Sequence, residues 1–525
     1  MPKVVRCDRF LLLTLASIET AVFTPVAAQT EPTPPDSIVT TRHRVTVSGR
    51  ALAYTARAGL VPIRDNEAGD VHGHIFFVSY TLDRDRTAPP RPLTFVWNGG
   101  PGSSVSQPHL LGFGPRRVRT GDDFATSPPF SETDLEDNQE TWLTTTDLVF
   151  VDPIGTGYSR PTKPEYAAEF YQTRGDAESV AEFIRVYRVR FDAMDAPLFI
   201  AGESYGTIRD ANVADVLARR GIPLRGAVLA ALAIPLGQRS AAERAALAVP
   251  SYTAAAFYHK KLASDLLVNL GETLRRAESW AMREYAPALA RGDSLGDSTR
   301  AAVAAQLARY TGIDAAAIDR KTLVVNIGQF ADGLLHNERR VLGRYDSRLT
   351  APADTTSGPF DPTADASLEP QLKHMNGTSV VLTRYLRGDL GFRSDLLYQG
   401  PFGGGYPPPN TFRGDWMSTR WDRGSLVNRP AAASGSISAT AEQPLRRALI
   451  ANPSLRLLVV CGTYDLVCSY YENEWAVQHL EPALASRITV RTYAGGHEAY
   501  LNKPARAAMQ RDLAAFIRET LEKRY

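Results

Sequence analysis

The sequence predicts an α/β fold whose mostly parallel central sheet is interrupted by a large, largely helical insertion. Short apolar runs predict core strands that are buried on both faces, as parallel sheets require. These runs are residues 93–97, 148–151, 198–201, 226–232 and 455–461. Helical patterns suited to covering the sheet occupy residues 165–191 and 503–524, and alternating patterns between residues 41 and 82 predict antiparallel strands.

The middle of the chain has a different character. From residue 233 to residue 443, alanine-rich helical patterns are followed by long stretches rich in Pro, Gly and Asp. An insertion of this kind commonly covers a site and shapes its specificity. We therefore expect a first core part at residues 41–232, a helical and loop-rich lid at 233–443, and a second core part at 444–525.

The N-terminus, residues 1–28, has the pattern of a secretory signal peptide. Basic residues precede an apolar run at residues 10–16, and small residues precede the expected cleavage site after residue 28. The alternative is a membrane anchor, but Glu19 and Pro25 interrupt the apolar span. A Pro/Thr-rich linker follows at 29–40. We expect export to the periplasm or the medium, without membrane attachment after cleavage.

Bulk composition gives no indication of a highly charged partner. The chain has 525 residues and a formal net charge of +2, with 44% hydrophobic and 22% charged residues, which is ordinary for a globular protein. Such a charge predicts neither a nucleic acid nor a bilayer surface as partner. The sequence makes no prediction of the oligomeric state.

A G-x-S-x-G pentad at residues 202–206 is the most informative motif of the chain. It follows the apolar run that ends at Ala201, and a helical pattern begins directly after it. In this context the motif predicts a nucleophile elbow, in which Ser204 is held above the sheet on a tight turn that its glycines permit. The structural alternative is a serine that only caps the following helix.

A candidate acid and a candidate base follow in the order Ser…Asp…His. Asp465 lies just beyond the apolar run at 455–461, where α/β sheets place ligands and catalytic groups. His497 follows two glycines after another short strand pattern at 488–493. A turn aspartate and a surface-loop histidine are the alternatives, but the ordered trio predicts the catalytic triad of an α/β-hydrolase.

Three segments resemble the serine carboxypeptidase family. They are the block at residues 94–104, the block at residues 147–159, and the Gly-Glu-Ser-Tyr sequence at 202–205. The resemblance extends from about residue 91 to about residue 517 and is weakest between 235 and 440. It implies a peptidase that removes the C-terminal residue of peptides or proteins through an acyl-enzyme. It also implies that neither a cofactor nor a metal takes part.

The loop Asn-Gly-Gly-Pro-Gly at residues 98–102 carries little side-chain bulk, so a substrate can approach its backbone N–H groups. Acyl transfer needs such donors for the developing oxyanion, and the residue after the nucleophile, Tyr205, normally supplies one. The resemblance implies that Gly100 supplies the second. It further implies that Asn98 and Glu203 bind the terminal carboxylate of the substrate; a turn former and a solvated acid are the alternative readings.

The chain departs from the better-known family members in ways that point to a bacterial branch. Gly112 occupies the position of an acid that in those members pairs with the glutamate before the serine. Ser103 replaces a cysteine, and Gly-Thr-Ile-Arg follows the elbow at 206–209. Without its partner acid, we expect Glu203 to ionise near its ordinary pKa unless burial raises it. Binding of a substrate carboxylate then needs either burial of Glu203 or a nearby cation. The candidates in sequence are Arg209, Arg116 and Arg117, and the alternative is that these are ordinary solvated arginines.

Two cysteines, Cys461 and Cys468, remain after the predicted signal cleavage, and both lie near Asp465. An even pair in an exported protein predicts a disulfide, and the alternative is two small buried side chains. A metal site is not predicted, because His72 and His74 lack further ligands at suitable spacing.

The motifs leave two other functions open. Acyltransferases and esterases use the same triad and oxyanion hole, with a different acceptor or substrate. A binding protein that has kept a hydrolase fold is the third possibility.

Overall fold

The structure is a computed structural model that describes residues 37–85, 87–123, 135–353, 368–400 and 437–523. The predicted signal peptide and residues 29–36 of the predicted linker lie outside these ranges. Residues 354–367 and 401–436 of the predicted lid do so as well. No helix among the described residues is both long enough and apolar enough to cross a bilayer.

A ten-stranded sheet forms the centre of the molecule. Its strands are β1 (Ile38–Val47), β2 (Arg50–Arg64), β3 (Val71–Leu82), β4 (Leu93–Trp97), β7 (Asp147–Asp152), β8 (Arg160–Pro161), β9 (Leu198–Glu203), β10 (Leu224–Ala230), β13 (Arg456–Gly462) and β14 (Ile488–Tyr493). The order is β1-β2-β3-β7-β4-β9-β10-β13-β14, and β8 pairs with β3. The pairs from β1 through β3 to β7 are antiparallel, and all pairs from β7 to β14 are parallel. The predicted mostly parallel sheet with an antiparallel N-terminal part is confirmed.

Two short hairpins lie outside this sheet, β5 (Arg116–Val118) with β6 (Leu135–Asp137) and β11 (Arg340–Leu342) with β12 (Thr350–Pro352). The α-helices are α1 (Ala167–Phe170), α2 (Thr173–Arg190), α3 (Tyr205–Arg219), α4 (Ala241–Tyr258), α5 (Leu270–Trp280), α6 (Ala286–Ala290), α7 (Asp297–Thr311), α8 (Ile327–Gly333), α9 (Leu368–Gly388), α10 (Ile437–Ala451), α11 (Tyr470–Gln478), α12 (Pro482–Ala485) and α13 (Lys503–Glu522).

Each face of the sheet has its own hydrophobic core. Successive side chains of a strand point to opposite faces, so Phe199 and Ile200 of β9 belong to different cores. The core with Ile200 packs against α2, α3 and α10, as Tyr187 and Leu445 show. The core with Phe199 includes Phe516 of α13. This two-layered covering fixes the strands whose carboxyl ends carry the candidate site.

The region between β10 and β13 combines a separate core with elements that cover the sheet. Helices α4 to α8 enclose a third hydrophobic cluster, in which Trp280 stacks on Tyr285 with ring centroids 5.0 Å apart. By contrast, Leu386 of α9 packs in the core that contains Phe199, on one face of the sheet. Ala441 of α10 packs in the core that contains Ile200, on the opposite face. The predicted boundary at residue 443 thus falls inside α10. Its role as a lid stays a prediction.

Candidate active site

Ser204 lies on the turn between β9 and α3, in a backbone conformation that L-residues rarely adopt (φ 57°, ψ −124°). Glycine is required at position 202, because a Cβ there would lie 2.3 Å from the Gly206 carbonyl oxygen. The Ser204 N–H donates to the carbonyl of Ala230 at 2.9 Å, which ties the turn to the neighbouring strand. The Ser204 side chain makes no capping hydrogen bond to α3. The helix-cap alternative therefore does not describe this serine.

Asp465 and His497 form a buried pair at the same edge of the sheet. His497 Nδ1 donates to Asp465 Oδ2 at 2.7 Å, and the aspartate is completely buried. Asp465 Oδ1 accepts the N–H groups of Val467 and Cys468 at 2.8 and 3.0 Å, which fixes the carboxylate plane. His497 Nε2 has no hydrogen-bond partner among the described residues. One ring nitrogen is thus anchored, and the other remains available for proton transfer.

The electrostatics of His497 favour its charged form. Burial by itself would lower the pKa of His497, but the charge of Asp465 and its hydrogen bond outweigh burial and hold that pKa well above its ordinary value. Glu203, the residue before Ser204, is close enough to interact with the charge of His497. The imidazole therefore belongs to the same site as the elbow.

Glu203 has an acidic partner that the sequence did not reveal. Burial, reinforced by the negative charge of Glu498, raises the pKa of Glu203 to about 8, and burial raises the pKa of Glu498 as well. The expected absence of an acidic partner is therefore wrong, whereas the rise in pKa through burial is the exception that the sequence expectation allowed. At Gly112, where the family's acid would stand, a Cβ would lie 3.2 Å from Cδ2 of Tyr500. The tyrosine ring fills that space, and the second carboxyl comes from the residue after His497.

The three predicted cations have other partners. Arg209 is almost fully buried, and its Nε donates to Asp176 Oδ2 at 2.8 Å. Arg116 and Arg117 pair with the two acids of the hairpin partner strand, Asp137 and Glu136. The ion-pair partners of the three arginines are therefore acids other than Glu203.

The loop after β4 lies directly against the elbow. A Cβ at Gly99 would be 2.6 Å from the Tyr205 nitrogen, so only glycine fits between loop and turn. Gly100 has a φ of 103°, and Tyr205 opens α3, where the first N–H groups have no intrahelical acceptor. Both predicted oxyanion donors thus lie where the loop and the elbow meet.

Asn98 is buried and rigidly held. Its Oδ1 accepts the N–H of Gly99 at 2.6 Å, and its Nδ2 donates to Gln107 Oε1 at 3.1 Å. An amide nitrogen carries two hydrogens, so one donor remains for a substrate.

The predicted disulfide between Cys461 and Cys468 is wrong, because both are free thiols in the structure. The two sulfurs have different neighbours. Cys461 Sγ accepts from Asn473 Nδ2 at 3.7 Å, whereas the thiol of Cys468 lies beside His497. Burial raises the pKa of both thiols, so they remain protonated and unreactive at neutral pH.

Among the described residues, Asp465, Cys468 and His497 have the spacing of a possible metal site. One ligand atom of each lies within 4.8 Å of the other two. A metal bound to Nδ1 would have to break the 2.7 Å hydrogen bond between the histidine and the aspartate.

Sequence reasoning missed a segment of the insertion that supports the histidine. The His497 N–H donates to the Tyr345 carbonyl at 2.7 Å, and the two rings meet edge to face at 5.0 Å. In the same segment, Arg344 accepts from the N–H of Leu466, and Ser347 donates to the carbonyl of Tyr464, both at 3.0 Å. The available sequence signal was the polar run at residues 344–348 of the insertion.

The sheet order, the strained serine on its strand–helix turn and the buried Asp465–His497 pair are features of an α/β-hydrolase fold. Residues 49–217 match the family model of serine carboxypeptidases (Peptidase_S10). The match covers about a third of the chain, and over this segment the chain is similar to serine carboxypeptidases.

Relatives with curated names match this chain over limited lengths. Pheromone-processing carboxypeptidase kex1 of Pyrenophora tritici-repentis is 34% identical over 137 residues, which cover 26% of this chain and 19% of that protein. The corresponding protein of Coprinopsis cinerea is 30% identical over 178 residues, covering 32% of this chain and 27% of the relative. The chain thus spans about a fifth to a quarter of the length of these relatives.

A solved structure supports the fold over most of the chain. The crystal structure of Kex1Δp, a prohormone-processing carboxypeptidase from Saccharomyces cerevisiae, superimposes with a TM-score of 0.52. The match covers 89% of this chain and 91% of that one at 15% identity. The predicted α/β-hydrolase fold is confirmed.

Proposed function

We propose that this protein is an exported serine carboxypeptidase that hydrolyses the last peptide bond of its substrates through an acyl-enzyme. The observation that carries the proposal is the buried 2.7 Å hydrogen bond between His497 and Asp465 at the edge of the sheet that bears the strained Ser204. The match of residues 49–217 to the serine carboxypeptidase family model supports the choice of a peptide substrate. The N-terminal sequence pattern supports export to the periplasm or the medium.

The reaction follows from the roles of three side chains. In its neutral form, His497 takes the proton of Ser204 at Nε2 as the serine oxygen attacks the carbonyl carbon, and Asp465 stabilises the imidazolium that results. The imidazolium then protonates the departing amino group, which leaves as a free amino acid. Water, activated by the same nitrogen, hydrolyses the ester and regenerates the serine.

The negative charge that develops on the carbonyl oxygen needs preorganised donors. The N–H groups of Gly100 and Tyr205 supply them in this proposal. They come from rigid backbone on either side of the contact between loop and elbow, so little reorganisation accompanies the attack.

Recognition of a free C-terminus depends on Asn98 and Glu203. The remaining Nδ2 hydrogen of Asn98 donates to the substrate carboxylate. Glu203 shares its environment with Glu498, and the raised pKa keeps it protonated, so that it donates a hydrogen bond instead of repelling an anion. A protonated carboxyl in contact with a carboxylate discriminates strongly between a peptide acid and a peptide amide.

The decisive test is Ser204→Ala. Release of the C-terminal amino acid from a synthetic peptide, followed by mass spectrometry, should fall by on the order of a million-fold, and labelling by a fluorophosphonate probe should disappear. Ser294→Ala, an exposed serine of the insertion, serves as the matched control and should behave as wild type. More than a percent of residual activity in a purified Ser204→Ala preparation would overturn the assignment.

The same assay separates hydrolysis from acyl transfer. With an added amine or alcohol, a carboxypeptidase releases mostly the shortened peptide acid, whereas an acyltransferase accumulates the adduct. A wild type that is labelled by the probe but releases no amino acid from any member of a peptide library would refute the peptidase assignment and leave esterase or acyltransferase chemistry.

A further inference from the structure

Arg209 has a position that the catalytic mechanism does not explain. It lies in the second turn of α3, five residues after Ser204, and its side chain is 1% exposed. One end of the guanidinium, Nε, donates to Asp176 Oδ2 on α2 at 2.8 Å. The other end, Nη1, donates to the backbone carbonyl of Asn98 at 2.6 Å. A fully buried, neutralised arginine thus joins the nucleophile helix to the loop after β4.

The acceptor of this hydrogen bond belongs to the peptide plane that precedes the proposed oxyanion donor. The carbonyl of Asn98 and the N–H of Gly99 lie in one rigid plane. Arg209 holds the carbonyl end, and Oδ1 of Asn98 holds the N–H end at 2.6 Å. With that plane fixed at both ends, only the two dihedrals of Gly99 separate it from the N–H of Gly100.

Close packing on the elbow side reinforces this constraint. A Cβ at Gly206 would lie 3.2 Å from the Asn98 oxygen, so the loop is pressed against the first turn of α3. The guanidinium carbon also lies 5.3 Å from the centroid of the Tyr205 ring. Arg209 therefore contacts the residue that carries one oxyanion donor and holds, through Asn98, the peptide plane next to the other.

We infer that Arg209 is a positioning residue for the oxyanion hole: it sets the distance between the Gly100 and Tyr205 N–H groups, while Asp176 supplies the counter-charge that permits its burial. The inference rests on the proposed function, since it assigns a task within the same acyl transfer. Its expected effect is on the rate of acyl transfer, because Gln107 holds the carboxylate-binding side-chain amide of Asn98 separately. A shift of the loop by about 1 Å can cost on the order of a hundredfold in rate without loss of ground-state binding.

The experiment compares three forms of the full chain with wild type. Arg209→Met combined with Asp176→Asn removes both charges together, so that no unpaired charge is left buried. Arg209→Lys keeps the charge but cannot reach both acceptors with a planar fork. Arg447→Met combined with Asp215→Asn is the matched control, because it removes a bidentate ion pair at the far end of the same helix (3.1 and 2.8 Å).

The first readout is the rate of fluorophosphonate labelling, which depends on the hole and not on recognition of a C-terminus. The double variant should lose about a hundredfold in labelling rate and in kcat, with KM within about threefold. The lysine variant should lose at least about fivefold, which keeps the test valid if the double variant does not fold. The control should stay within about twofold of wild type.

The second readout is inhibition by a peptide aldehyde, whose adduct places an oxygen in the hole. Its affinity should fall by the same factor as kcat. Labelling of the Arg209 variants at the wild-type rate would overturn the inference, as would a KM increase that accounts for the entire loss. A wild type that the probe does not label would overturn the proposed function and the inference with it, whereas a labelled wild type with unaffected variants overturns the inference alone.

Discussion

The shared carboxyl environment of Glu203 leads to a sharp prediction about pH. If protonated Glu203 binds the terminal carboxylate of the substrate, affinity for a peptide acid should be constant in acid and should fall as the pH rises through the pKa of Glu203, which burial and Glu498 raise to about 8. Above that value each pH unit should weaken binding about tenfold, because the protonated fraction falls tenfold. A peptide amide carries no terminal charge, so its affinity should not follow this titration.

The magnitude at neutral pH follows from the same titration. At pH 7 a carboxyl with a pKa of about 8 is roughly 90% protonated, whereas one at the ordinary value of 4.5 would be roughly 0.3% protonated. The raised pKa therefore improves neutral-pH binding of a peptide acid by a few hundredfold, on the order of 3 kcal/mol.

The assay measures binding with the chemistry removed. In a Ser204→Ala background, titration calorimetry compares a peptide acid with its amide from pH 5 to pH 9. Glu203→Gln keeps a donor that does not titrate, so the acid should bind with equal affinity across the range. Glu498→Gln removes the second cause of the raised pKa of Glu203. The midpoint of the pH-dependent loss of affinity should therefore move to lower pH. Glu278→Gln, a partly buried acid that hydrogen-bonds Tyr470 at 2.8 Å, is the control and should leave the midpoint in place.

One result would refute the reasoning directly. If the peptide acid loses affinity with the same pH profile in the Glu203→Gln variant as in its parent, another group controls carboxylate binding. Equal affinities for acid and amide at every pH would remove carboxylate recognition from the proposed function altogether.

Other parts of the structure lead to further predictions. Asp465→Asn should lower kcat by on the order of ten-thousandfold with the fold intact by circular dichroism, and a loss below tenfold would contradict its role. Gly112→Glu should not restore the family's acid pair, because a Cβ there would lie 3.2 Å from the Tyr500 ring. Urea unfolding should show that the free energy of unfolding falls by about 1–3 kcal/mol. A variant as stable as wild type would contradict this packing. Arg348→Met leaves the buried Asp346, whose Oδ2 lies 2.6 Å from Arg348 Nη2, without this partner. The free energy of unfolding should fall by about 3–5 kcal/mol in the same measurement. A change below about 1 kcal/mol would show that the ion pair is dispensable. Thiol titration of the denatured, unreduced protein, in a chain that lacks Cys7, should find two thiols, from Cys461 and Cys468; none would restore the disulfide.

The sheet, and the edge of it at which the strands end and the candidate site lies, were predictable because their sequence signals are local. A parallel strand buried on both faces is a continuous apolar run, and the elbow at 202–206 combines such a run with two glycines that its geometry requires. Asp465 and His497 were found by their position after strands. Each of these inferences uses only neighbours in the chain.

The errors concern contacts between distant segments. Glu498 and Glu203 are almost 300 positions apart, and no local pattern indicates that a second acid replaces the one missing at Gly112. Likewise Arg209 looks like a solvated cation in sequence, but it is buried because Asp176 of another helix neutralises it. Proximity of Cys461 and Cys468 in sequence does not specify the direction of their sulfurs. Burial and pairing are tertiary properties, and they decide the charge state of this site.

The hydrogen bond from the His497 N–H to the Tyr345 carbonyl has a consequence for protein engineering. Deleting the segment between the two halves of the core would be the direct way to obtain a smaller protein. In this chain that excision would delete the acceptor of a 2.7 Å bond to the histidine and the carbonyl that holds Leu466, one residue from Asp465. A shortened protein would therefore have to keep residues 344–348, joined to the core by a short linker. These residues hydrogen-bond the segments that carry Asp465 and His497.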